Sequence, residues 1–90
     1  MQNPNDFLDT PVSIANRVAS NFRTIRKARR ITIGELSTQS GVSYSSIKRF
    51  EHTGEVSFVA LIKLASVLGL EGEIKQLFDN YIPASIEEVF

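Results

Sequence analysis

The residues best suited to chemistry lie in one short stretch of the chain, between Gly41 and Glu51. Four hydroxyl-bearing residues are followed within one helical turn by two cations: Ser43, Tyr44, Ser45 and Ser46, then Lys48 and Arg49. Arginine and lysine donate hydrogen bonds to guanine O6 and N7, whereas hydroxyl groups bond to base edges or to phosphates. The residue types and their spacing therefore favour contact with double-stranded DNA.

Several of these side chains also have a purely structural explanation. Lys48 and Arg49 could be ordinary surface cations of a helix, and the Tyr44 ring could pack on the first helix. We favour DNA contact for the two cations. We favour it for Tyr44 as well, because this residue falls in the first turn of the helix that carries them.

The sequence contains no candidate residues for catalysis. His52 is the only histidine and the chain has no cysteine, so no recognisable set of metal ligands is available. No nucleophile accompanies His52 in a known motif, and the glycines are scattered instead of forming a loop that cradles phosphate. We therefore predict a protein that is not an enzyme and that needs neither a metal nor a cofactor, and we interpret His52 as a turn residue.

Local signals predict that the polar stretch belongs to a pair of short helices. Thr32 and Glu35 are spaced as a capping box, which marks the start of a helix that Gly41 ends. Ser43 is placed to cap the next helix. The residues of that helix predicted to face inward are Ile47 and Phe50. Two helices joined by a glycine-containing turn form a helix-turn-helix skeleton, and the second one presents its polar side chains outward.

Three further helices are predicted around this pair. The first runs from about residue 12 to Arg29 or Arg30, with a core stripe of Ile14, Val18, Phe22 and Ile25. The fourth is capped by Ser57 and ended by Gly69, with a core stripe of Phe58, Leu61, Ile62, Ala65 and Leu68. The fifth spans about residues 72–81 and presents Ile74, Leu77, Phe78 and Tyr81.

These elements predict one all-α domain at residues 12–81, between two terminal segments. Residues 1–11 carry Asn, Asp and Pro with few apolar groups, which is typical of a flexible arm. Residues 82–90 form a tail in which Ser85 to Glu88 repeat the capping-box pattern. The tail ends in Val89 and Phe90, and this apolar ending favours packing on the core or against another subunit, so we expect the fifth helix and the tail to form a dimer contact.

Charge is distributed very unevenly along the 90 residues, although the net charge is zero. Residues 12–50 carry eight Lys and Arg against one acid, Glu35, whereas residues 51–90 carry two Lys against seven acids. A basic half joined to an acidic half indicates a polyanionic partner on one side. No apolar run is long enough to span a membrane and no signal-peptide pattern is present, so we expect a cytoplasmic protein.

The stretch from Phe22 to Leu70 resembles the Xre/Cro-type helix-turn-helix family of phage repressors and bacterial regulators. The matching residues are Ile25-Arg26, Ile31-Thr32, Glu35-Leu36, Gly41-Val42-Ser43, Ile47, Arg49-Phe50-Glu51, Leu61 to Ala65, and Leu68-Gly69. The resemblance implies a five-helix, lambda-repressor-like domain that binds DNA as a homodimer, with the third helix in the major groove. It also implies a structural ion pair between Arg26 and Glu51.

A narrower resemblance points to one subgroup. The connection after Glu51 and the run KRFEHTGEVSFVALIKLASVLGL are similar to HipB-like regulators, which often act as antitoxins beside a HipA-like kinase. The chain departs from the wider family at Ile33, where a phosphate-binding glutamine is common. Phosphate contacts are therefore expected from Thr32, from the serines near Gly41 and from the basic residues of the first helix.

Two function classes follow from these observations. The first is a transcriptional repressor that binds an inverted-repeat operator as a homodimer, with its two recognition helices in successive major grooves about 34 Å apart. The second is an antitoxin that neutralises a kinase-like toxin partner and regulates its own operon, and one protein can do both. A third possibility is a domain used only for protein contact, and Ile33 is its one support.

Overall fold

A computed structural model of the chain describes residues 9–84, and all regular elements within that range are helical. The helices are α1 (Pro11–Ala28), α2 (Ile33–Ser40), α3 (Tyr44–Thr53), α4 (Phe58–Val67) and α5 (Glu71–Lys75), followed by a 3₁₀ turn at Asp79–Tyr81. The predicted all-α, five-helix architecture is confirmed. The capping pattern predicted from Ser85 to Glu88, like most of the N-terminal arm, lies outside the described residues.

Four of the five helices begin with a side chain that accepts a hydrogen bond from the helix backbone. The predicted caps Thr32, Ser43 and Ser57 start α2, α3 and α4. A further capping box, formed by Thr10 and Ser13, starts α1 and was not predicted. Residues 10 and 11, which composition assigns to the arm, are therefore the N-cap and the first residue of α1.

The core forms where α1 and α4 pack against the central pair α2 and α3. Its largest fully buried side chains are Leu36 of α2, Ile47 and Phe50 of α3, and Leu64 of α4. The rings of Phe22 and Phe50 meet edge to face, with centroids 5.5 Å apart, and join α1 to α3. Helix α5 packs on α4 alone, so it lies at the edge of the fold.

The buried face of α1 differs from the predicted stripe. Ile14 and Val18 are 51% and 45% exposed, while Ala19 and Arg26 are buried beside Phe22. The prediction for Ile14 and Val18 was wrong because α1 packs on α3 through the face that carries Ala19, Phe22 and Arg26. Next to this face, Gly54 lies so close to Ala15 that a Cβ at position 54 would not fit without a shift.

Helices α4 and α5 also differ from their predicted patterns. Phe58 is 60% exposed, whereas Leu64, which was not assigned to the core stripe, is completely buried. Helix α5 ends at Lys75 instead of continuing to Tyr81. The backbone at Phe78 adopts the left-handed conformation, with φ of 67°, and this interrupts the helical path.

None of the described helices is both long and apolar enough to cross a membrane. Within the same residues, no group of three or more histidine, cysteine, aspartate or glutamate side chains is arranged to hold a metal ion.

Candidate nucleic-acid interface

The turn between α2 and α3 is held by several short hydrogen bonds. Gly41 adopts a left-handed conformation, with φ of 75°, and its N–H donates to the Ser37 carbonyl at 2.9 Å. The Ser37 hydroxyl donates to the carbonyl of Val42 at 2.7 Å, and the Ser40 hydroxyl accepts from the Val42 N–H at 3.1 Å. Because backbone and side chains both tie this turn, the angle between the two helices is fixed.

Helix α3 has one buried face and one exposed, mainly polar face. Ile47 and Phe50 are buried, as predicted from their spacing. The polar residues proposed for DNA contact all lie on the exposed side of α3 or at its N-cap: Ser43, Tyr44, Ser45, Ser46, Lys48 and Arg49. The structure therefore brings these six residues together on one solvent-facing surface, which we call the α3 face.

The serines at the start of α3 are partly engaged with one another. The Ser43 hydroxyl accepts from the Ser46 backbone N–H at 3.2 Å and donates to the Ser46 hydroxyl at 2.8 Å. Ser45 lies 3.3 Å from Ser43, oxygen to oxygen. The hydroxyl groups first hold the end of α3 in place, and their remaining lone pairs and protons face solvent.

Thr32 is exposed at the start of α2, in a reciprocal pair with Glu35. The Glu35 N–H donates to the Thr32 hydroxyl and the Thr32 N–H donates to the Glu35 carboxylate, both at 3.0 Å. Hydrogen bonding to the carboxylate, first by the Thr32 backbone N–H and then by the Thr32 side chain, holds the pKa of Glu35 below its ordinary value. The ionised carboxylate interacts favourably with the partial positive charge at the N-terminal end of α2. Ile33, the next residue, is half-buried and its side chain has no group that binds phosphate.

A buried ion pair joins α1 to the end of α3. Arg26 donates from Nε to Glu51 Oε2 at 2.6 Å and from Nη2 to Glu51 Oε1 at 2.8 Å. Its third nitrogen donates to the Ile31 carbonyl at 2.8 Å. The hydrogen bonds to Glu51 raise the pKa of Arg26, against the opposing effect of burial. This bidentate contact fixes α3 against α1, the arrangement that the family resemblance implied.

The sequence did not show which arginines of the first helix are available to DNA, and the structure gives two of them different roles. Arg23, Lys48 and His52 line a small surface pocket of about 140 Å³, which the buried pair also lines. Arg29 instead donates to the Leu68 carbonyl at the end of α4. Arg23 therefore extends the basic surface next to α3, whereas Arg29 joins the C-terminal end of α1 to the C-terminal end of α4.

Arg49 has a partner that the sequence did not indicate. Its Nη2 lies 3.0 Å from Oε1 of Glu55, in the loop between α3 and α4. Both side chains are about two-thirds exposed, at 65% and 64%. The pair is separated by six positions and depends on the turn at Gly54, so no helical spacing rule could have found it.

Comparison with known proteins agrees with this geometry. A family model described as Helix-turn-helix matches residues 22–74, which is more than half of the chain and includes α2, the turn, α3 and α4. Comparison with curated proteins and with solved structures returns no match.

Proposed function

Because the chain belongs to the Xre/Cro-type helix-turn-helix family of DNA-binding transcription regulators, we propose that it is a repressor that recognises a specific operator through the α3 face. Its tyrosine, serines, Lys48 and Arg49 enter the major groove. Thr32, and Arg23 beside Lys48, contact the phosphates next to this groove.

The main support for this proposal is that α3 is fixed on its buried side, while its polar side is exposed to solvent. Ile47 and Phe50 fill the core, and Glu51 is held by Arg26. The exposed side carries two cations and no acid between Tyr44 and Phe50. A rigid helix with such a surface matches the width and the hydrogen-bond acceptors of the major groove.

The proposal is tested by selecting bound sequences from a randomised duplex library and measuring the affinity for each single-base-pair variant of the selected site. If Arg49 reads a guanine, Arg49→Ala costs about 1–3 kcal/mol on the selected site and relaxes the preference at one base pair. Recovery of no common sequence from the library would contradict operator recognition. A loss that is equal on all sequences would reassign Arg49 to phosphate contact.

We also propose that the C-terminal part of the fold forms the contact between two copies of the chain. Four of its apolar residues are largely exposed beyond α5: Leu77, Phe78, Tyr81 and Ile82. A homodimer formed here would supply the two α3 faces that an inverted-repeat operator requires.

The same apolar surface suits the alternative function, in which an antitoxin covers it with a kinase-like toxin. Sedimentation of the purified protein distinguishes a homodimer contact from a toxin contact at this surface. A dimer that Phe78→Ser and Tyr81→Ser convert to monomer supports the homodimer, while a monomer at all concentrations favours a different partner.

A further inference from the structure

Arg49 is paired with a carboxylate that the chain path places beside it. The left-handed turn at Gly54, with φ of 81°, brings residue 55 back over the last turn of α3. The Glu55 N–H donates to the Thr53 hydroxyl, which in turn donates to the Arg49 carbonyl at 2.8 Å. Glu55 is thus connected to Arg49 through both its backbone and its side chain.

The contact occupies only part of the Arg49 guanidinium. Glu55 accepts from Nη2, and a guanidinium carries five N–H donors in a fixed plane. Four N–H groups therefore stay available, enough for a two-pronged contact with a guanine edge. Since the pair is exposed, it is expected to change an equilibrium by a factor of about five at most.

We propose that Glu55 is a specificity-determining residue of the DNA interface, which acts by positioning Arg49. This inference rests on the proposed function of the α3 face. On the operator, the Glu55 contact is kept and orients the remaining N–H groups of Arg49 toward a base edge. On other DNA, the same contact withdraws Arg49 from the phosphates.

The test compares Glu55→Gln with wild type on the selected operator duplex and on a scrambled duplex of the same composition. The expected result is an operator affinity about two- to five-fold weaker and a scrambled-DNA affinity that is unchanged or tighter, so that discrimination falls. Glu73→Gln removes an equal charge from exposed α5 and is the matched control. Its discrimination is expected to equal that of wild type, and equal melting temperatures for the three proteins confirm that the fold is intact.

A second arm shows whether Glu55 acts through Arg49. In an Arg49→Ala background, Glu55→Gln is expected to leave discrimination unchanged, because the residue to be positioned is gone. Three results overturn the inference: unchanged discrimination in the single variant, tighter binding of both duplexes by an equal factor, or the same loss in the Arg49→Ala background. Selective binding by wild type without any Glu55 effect overturns this inference alone, whereas no selective binding by wild type overturns the proposed function as well.

Discussion

Arg26 and Glu51 form a bidentate ion pair, and their side chains are only 8% and 6% exposed. The pair links α1 to the last turns of α3, and Arg26 also binds the Ile31 carbonyl before α2. One guanidinium therefore sets the position of α3 relative to α1 and to the segment before α2. Neither residue lies on the α3 face, so the role of the pair is structural.

Replacing Arg26 with methionine is expected to destabilise the fold by about 3–5 kcal/mol, because a buried carboxylate is left without its partner. Urea denaturation followed by circular dichroism measures this change. The matched control is Arg17→Met, which removes an exposed cation from the same helix and is expected to change stability by about 0.5 kcal/mol or less. A stability for Arg26→Met within about 1 kcal/mol of wild type would show that the pair is not needed to hold α3.

The second prediction compares the loss of stability caused by Gly54→Ala with that caused by Gly41→Ala. Both end a helix in the left-handed conformation, where alanine costs about 1–2 kcal/mol. A Cβ on Gly54 would lie 2.7 Å from the backbone carbonyl carbon of Ala15, whereas a Cβ on Gly41 would meet nothing within 4 Å. Gly54→Ala must therefore push α3 away from α1 and is expected to cost about 1–3 kcal/mol more than Gly41→Ala.

Denaturation of the two glycine variants side by side measures this difference, since the backbone cost is common to both. Equal losses of stability would mean that α1 and α3 do not approach as closely at Gly54 as the structure describes. A larger loss for Gly41→Ala would place the critical close contact at the turn between α2 and α3 instead.

Helix starts could be predicted from sequence because they depend on neighbouring residues. Thr32, Ser43 and Ser57 each accept a hydrogen bond from an N–H three positions later, so the pattern is complete within four residues. The inward positions Ile47 and Phe50 are equally local, since α3 has only one apolar face. Residue types and spacing within α3 are therefore enough to define the α3 face.

Features that depend on a partner element could not be predicted in the same way. Helix α4 is apolar on several sides, so only its packing against α2 decides that Leu64 is buried and Phe58 exposed. On α1, only the packing against α3 decides that Ala19 is buried and Val18 exposed. The contact between Arg49 and Glu55 requires a turn whose direction the residue types do not specify.

DNA binding by the α3 face can be tested by a salt titration of the protein with the DNA immediately upstream of its gene. A scrambled duplex of the same composition serves as the control. We predict selective binding that weakens steeply as salt rises, because phosphate contacts by the basic half release condensed counterions. Binding that is absent at low salt, indifferent to salt, or equal on the scrambled duplex would contradict the claim.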